Sequence, residues 1–148
     1  MSRSHLRPVA PTLAVAGLCA GCLAAIAIAL AGCGESKRVR VDRPILRISL
    51  DEYRIRPQNI SARPGRIKIV VRNSGRLTHN LVIQTPPEHV GDKPIDVPGA
   101  RVKSMQPGEV ATPIKVTLAP GTYRLVCTIA NHDDLGQYGE LVIEGPPL

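Results

Sequence analysis

The sequence predicts an all-β domain over residues 45–148, folded as an antiparallel β-sandwich. Three observations carry this. Apolar and polar residues alternate in short runs such as Arg66-Ile67-Lys68-Ile69 and Ile114-Lys115-Val116-Thr117-Leu118. Turn pairs separate the runs at Pro64-Gly65, Pro107-Gly108 and Pro120-Gly121. Beyond residue 32 no stretch carries a helical apolar period. Short strands divided by turns bury one face each, and a second sheet is what covers that face.

Residues 1–32 read as processing sequence instead of fold. Arg3 and Arg7, with no acid, precede an apolar run over 12–30 that ends in Leu30-Ala31-Gly32-Cys33. Small residues before a cysteine at the end of an apolar run resemble a bacterial lipobox. Cleavage would follow Gly32, and lipid on Cys33 would hold the chain at a membrane surface. Cys22 also follows a small pair, but Cys19 stands where an aliphatic residue belongs. An uncleaved single-span anchor is the alternative, since the run is about long enough to cross a bilayer. Either reading sends the remainder out of the cytoplasm, to face the periplasm or the exterior. Residues 33–44 are then a lipidated N-terminus and tether. Their basic cluster, Lys37, Arg38, Arg40 and Arg43, reads either as facing anionic headgroups or as a solvated tether.

The remaining elements follow in order. Residues 45–50 open the domain, and Tyr53, Ile55 and Ile60 continue it across Pro57. Pro64-Gly65 feeds a strand over 66–72, which Asn73-Ser74-Gly75 ends. The next strand covers 80–84. Residues 85–112 hold Pro86, Pro87, Pro94, Pro98 and Pro107, and read in part as a long loop with a short strand at 101–105. A strand over 114–118 precedes Pro120-Gly121. Tyr123, Leu125 and Cys127 then share one face, with Arg124 and Val126 on the other. The last strand is 140–144.

Charge and composition narrow the function. The chain carries 19 Lys+Arg against 12 Asp+Glu, a formal net charge of +7. Its aromatics are Tyr53, Tyr123 and Tyr138, with no Trp or Phe. Nucleic-acid binding, which uses stacking platforms beside its cations, is therefore not expected. Of four cysteines, Cys19 and Cys22 leave with the signal and Cys33 is the lipid site. Cys127 is left alone in the domain with no disulfide partner. A free thiol in an oxidising compartment calls for burial or a metal.

The segment Cys127-Thr-Ile-Ala-Asn-His132-Asp-Asp-Leu-Gly-Gln137 supplies that metal's ligands. His79 precedes the strand at 80–84. One thiolate and two imidazoles are the ligand set of a mononuclear copper site of the blue type. Gln137 offers an amide oxygen as a weak axial ligand, and Asn80 is placed to hydrogen-bond the ligand-bearing segments and the sulfur. Zinc is the other metal that this set suits. Met105 is an alternative to Gln137, and His89 falls in the proline-rich segment.

These residues resemble the cupredoxins, the small blue copper proteins. His79-Asn80 matches the family, as do Gly121-Thr122-Tyr123 leading to Cys127, His132 and Gln137, then Gly139. The C-x4-H-x4-Q spacing is similar to that of stellacyanins and rusticyanins, the latter carrying Met where this chain has Gln137. The shorter Cys–His spacing of plastocyanin is absent, and Ala130-Asn131 replaces the usual Pro-Gly pair. The resemblance covers about residues 45–146. It implies an eight-stranded Greek-key fold, one type 1 copper ion and one-electron transfer to a redox protein partner, by a monomer.

An enzyme is not expected. A dinuclear copper centre would need a second cysteine in the loop, multicopper chemistry would need further histidines, and Cys127 has no visible third group for hydrolysis. The alternatives are a copper-binding or delivery protein and a metal-free interaction module. His132, on a loop beside Leu135 and Gly136, is the expected electron entry. Asp133 and Asp134 add negative charge that would steer a basic partner.

Overall fold

The structure, a computed structural model, describes residues 37–89 and 91–145. The expected signal segment and Cys33 lie outside these residues. Among the described residues every regular element is a strand, and no helix is long and apolar enough to cross a membrane.

Two sheets build the sandwich. The larger is ordered β1 (Val39–Val41), β4 (Asn59–Ala62), β10 (Tyr138–Ile143), β9 (Gly121–Val126), β6 (His79–Thr85) and β7 (Ile95–Met105). The smaller is ordered β3 (Arg54–Arg56), β2 (Ile45–Asp51), β5 (Gly65–Asn73) and β8 (Ile114–Leu118). Period-two burial along β2 and β5 turns Leu46, Ile48 and Leu50, and Ile67, Ile69 and Val71, inward. They meet Leu81, Ile83, Leu125 and Leu141 of the larger sheet, each at most 1% exposed. Complete burial of such side chains is worth about 1.5–3 kcal/mol apiece, which makes this layer the main source of stability.

The sheets are mixed. β2–β5, β4–β10 and β1–β4 pair in parallel and the other ladders are antiparallel. The parallel pairs arise because the chain changes sheet between β3 and β4, across Pro57, and returns to pair β5 with β2. Ten strands stand where the family resemblance implies eight, and β1 and β3 are three residues each.

Two segments differ from the sequence expectation. Residues Val39–Val41, placed in a tether, form β1 against β4. Part of the proline-rich loop is β7, an eleven-residue strand through Pro98 and Gly99. It lies at the sheet edge, where a residue without an N–H is tolerated, and its pairing with β6 is broken by register shifts. Val126, on the face opposite Leu125, is 1% exposed and stands opposite Val82, itself fully buried.

A candidate metal centre at one end of the sandwich

Four pieces of chain converge at one end: the start of β6, the segment after β9, the β2–β3 turn and the loop after β5. His79 opens β6 and Cys127 directly follows β9, so neighbouring strands of one sheet carry both. His132 and Gln137 come from the 128–137 loop. Five backbone hydrogen bonds wind this loop: His132 N to Ile129 O, 2.9 Å; Asp134 N to Asn131 O, 3.1 Å; Gly136 N to Asp133 O, 3.0 Å; Gln137 N to His132 O, 3.0 Å; and Cys127 N to Gln137 O, 3.1 Å. Ala130 and Asn131 both have positive φ, 43° and 49°. Asn tolerates this region better than Ala, so local strain stands at Ala130, where Ala130-Asn131 replaces the family's usual Pro-Gly pair.

The three candidate ligands come together. Cys127 Sγ lies 3.9 Å from His79 Nδ1 and 3.6 Å from His132 Nδ1. All three donor atoms fall within 4.8 Å of one another. His79 and Cys127 are fully buried and His132 is 8% exposed. Burial, and next the neighbouring His132, hold the His79 imidazole below its ordinary value of 6.5. A neutral ring keeps a lone pair for a metal.

Gln137 is fixed in one orientation. Its Nε2 donates to Asp51 O at 2.7 Å. A carbonyl can only accept, so this bond assigns nitrogen and oxygen. Gln137 Oε1 is buried without a hydrogen-bond partner, as is His79 Nε2. An unmatched buried polar atom costs about 1–3 kcal/mol, and an ion would satisfy the oxygen. Around a metal with bonds near 2.0 Å to nitrogen and 2.3 Å to sulfur, S···N separations come to about 3.5–3.8 Å. The observed 3.6 Å to His132 lies inside this range and the 3.9 Å to His79 just beyond it, so a shared ion needs only a small closure on the His79 side. Thiolate, two imidazoles and a weak amide oxygen form a set that suits copper.

Asn80 ties the two strands that bear ligands. Its Nδ2 donates to Thr128 Oγ1 at 2.9 Å, and Thr128 N donates to Asn80 Oδ1 at 2.8 Å. Both amide atoms are thus engaged by the residue after Cys127, and no bond from Asn80 to the sulfur is present. Met105 stands opposite His79 in the β6–β7 pairing, but its side chain belongs to the apolar core. His89 is exposed and faces Asp92 at 3.4 Å.

Sequence reasoning missed the β2–β3 turn and the loop after β5. The turn supplies Asp51 O to Gln137, the Tyr53 ring edge-on to His132 (centroids 5.4 Å apart) and the Glu52 carboxylate. Glu52 Oε1 accepts from Arg76 N and, at 3.1 Å, from Leu77 N. Asn73, fully buried, donates from Nδ2 to Leu77 O at 2.8 Å and Met105 O at 3.0 Å, and accepts from Gly75 N at 3.0 Å. Together they fix the five residues that lead into His79. Gly75 is needed there: a Cβ would stand 3.1 Å from His79 Nε2 and 2.7 Å from Glu52 Oε1. Asn73-Ser74-Gly75 did mark a turn, whereas Glu52-Tyr53 carries no motif.

No family model matches the chain, and no curated protein matches its sequence. Solved structures do. Dithionite-reduced auracyanin of Roseiflexus castenholzii aligns with a TM-score of 0.58 at 21% identity, over 71% of this chain and 100% of that one. Auracyanin A of Chloroflexus aurantiacus, a "blue" copper protein, aligns with a TM-score of 0.54 at 17% identity, over 73% and 100%. Rusticyanin of Thiobacillus ferrooxidans aligns with a TM-score of 0.55 at 16% identity, over 84% and 94%. At these identities the likeness is one of fold, and the described domain has the cupredoxin fold that these proteins share.

Proposed function

We propose that this chain is an exported one-electron carrier with a single type 1 copper ion, held at the outer face of a membrane. The convergence of Cys127, His79 and His132 in one buried cluster, beside an oriented and otherwise unmatched Gln137 oxygen, carries the reading. The same fold in auracyanin A, described as a "blue" copper protein, supports it. Cys127, His79 and His132 would hold the ion, with Gln137 Oε1 in the axial position. Bound there, copper supplies a couple between Cu(II) and Cu(I).

The chain's own residues do the rest. Strand ends, the loop's backbone hydrogen bonds and the Asn80–Thr128 pair hold the donors in place, which suits a centre that must change charge without moving its ligands. Burial of Cys127 excludes water from the sulfur. His132 is the ligand with solvent access, and it offers the path to a partner. Leu135, 55% exposed on the same loop, gives that partner an apolar contact. Asp133 pairs with Arg124 at 3.2 Å, so Asp134 carries more of the local negative charge than Asp133 does.

Metal analysis and a redox titration of residues Ser36–Leu148, loaded with Cu(II), test the reading. One copper and one reversible electron per domain are expected. Copper bound without a reversible couple, but passed to a competing chelator, would make this a delivery protein. Cys33 is tested separately by the mass of protein recovered from bacterial membranes. An acyl mass that Cys33→Ser abolishes is expected, and an unmodified Cys33 would refute lipidation.

A further inference from the structure

Of the cluster Lys37, Arg38, Arg40 and Arg43, which reads as membrane-facing or as a solvated tether, Arg38 and Arg40 are engaged. Arg38 pairs with Glu140 at 2.5 Å, and Arg40 with Glu144 at 2.6 Å and Asp42 at 3.0 Å. Unmatched charge lies elsewhere, on the outer face of the four-stranded sheet. Arg47 on β2, Arg66, Lys68 and Arg72 on β5, and Lys115 on β8 are all exposed. None of the five forms an ion pair among the described residues. Asp51, the carboxylate of this face, is held by Arg56 at 2.6 Å.

Their arrangement is costly for the fold. Lys68 stands directly opposite Lys115 across the antiparallel β5–β8 ladder, and like charges so placed are destabilising. Two shallow hollows divide the face. Arg47, Arg56 and Arg72 line one, with Val70 and Val110; Arg66, Lys68 and Lys115 line the other, with Ile45. Val110 is 53% exposed and Ile45 37%. Three cations around a hollow with an exposed aliphatic residue at its margin match a phosphodiester headgroup seated over acyl chain.

We infer that the outer face of the four-stranded sheet is a docking surface for an anionic phospholipid bilayer. A lipid on Cys33 would leave five residues before β1, at most about 20 Å of chain, so the domain would stay within reach of headgroups. The inference deepens the outer-face reading and rests on it for its setting, while its test needs no acyl chain. His132 lies at a strand-end loop instead of on this face, so docking leaves it accessible.

The test is co-sedimentation of residues Ser36–Leu148, which form one compact unit, with phosphatidylcholine vesicles containing or lacking phosphatidylglycerol. Binding to the anionic vesicles alone, abolished by high salt, is expected. At about fivefold per unit of charge, Lys115→Glu should weaken partitioning about 25-fold. The same substitution creates an opposite-charge pair with Lys68 and should raise the unfolding midpoint, so loss of binding cannot be loss of fold. Arg47→Gln/Arg72→Gln should weaken binding similarly, and Arg38→Gln/Arg40→Gln little. Equal binding to both vesicles, or equal loss from the Arg38/Arg40 variant, overturns the proposal. Capture of polyglutamate without capture of vesicles overturns it too, in favour of an acidic protein partner. Failure of Cys33 acylation would leave these outcomes unchanged.

Discussion

Replacing Asn73 with alanine should cost the domain a large share of its stability, although Asn73 is no ligand. Its side chain makes three hydrogen bonds from a fully buried position, to Leu77 O, Met105 O and Gly75 N. Each is worth about 1 kcal/mol net, and a partner left dry costs more. Leu77 is 40% exposed, so water can reach its end of the network, whereas the bond to Met105 is buried. The sum is about 3 kcal/mol, out of the roughly 5–15 kcal/mol by which domains are stable. At about 4–8 °C per kcal/mol for a domain near 100 residues, the midpoint should fall by about 12–24 °C. Thermal unfolding of copper-free Ser36–Leu148, followed by far-UV circular dichroism, reads this directly. Asn73→Asp sharpens the argument by setting a carboxyl against two carbonyl oxygens. Burial and those acceptors raise its folded-state pKa above the unfolded value of about 3.9. The folded state then binds more protons, so the variant's deficit is small below pH 4 and grows as pH rises to the folded value. A midpoint shift under about 5 °C for Asn73→Ala, or a pH-independent deficit for Asn73→Asp, would refute the reasoning.

Asn80→Ala and Thr128→Ala should each destabilise by about 1–2 kcal/mol, and the double variant by less than their sum, because one reciprocal pair is being removed; additive losses in denaturant unfolding would contradict the pairing. Gln137→Met should raise the reduction potential, since sulfur favours Cu(I) where the amide oxygen favours Cu(II); an unchanged or lower potential in redox titration would remove Gln137 from the axial position. Backbone hydrogen bonds, first from Arg76, hold the Glu52 carboxyl below its ordinary 4.5. Its contribution is therefore present above that value and lost as pH falls through the folded pKa. Glu52→Gln should lower stability at pH 7 and flatten the acid limb of the stability profile, and parallel profiles would sink the assignment. Gly139→Ala should destabilise by about 1–3 kcal/mol, because its Cβ would stand 2.5 Å from Gln58 O; wild-type stability in the same unfolding assay would contradict that contact.

Much of this molecule was legible in its sequence, for identifiable reasons. Alternation over 66–69 and 114–118 gave strands because one face of each is core, and burial at period two is visible without coordinates. Cys127, His132 and Gln137 lie in one loop, so their spacing carried the reading, and His79, just before the strand at 80–84, supplied the second imidazole of the ligand set. β7 was obscured because Pro98-Gly99 signals a turn wherever it occurs, while an irregular edge strand accommodates both. β1 was obscured because Val39 and Val41 are two apolar residues among cations, and only pairing with Ile60 and Ala62 makes them a strand. The β2–β3 turn was missed for a different reason. Asp51 acts through its carbonyl, which no side-chain pattern announces, and Tyr53 reaches His132 only because the turn folds back on the ligand loop. The pairing of Arg38 and Arg40 was hidden because Glu140 and Glu144 lie about a hundred residues away in the chain.

The most direct test of the metal centre is the visible absorption spectrum of residues Ser36–Leu148 after addition of Cu(II) and desalting. An intense thiolate-to-copper band near about 600 nm, absent from Cys127→Ser, is the predicted result. A colourless protein without bound copper, or a band that survives Cys127→Ser, would contradict the account.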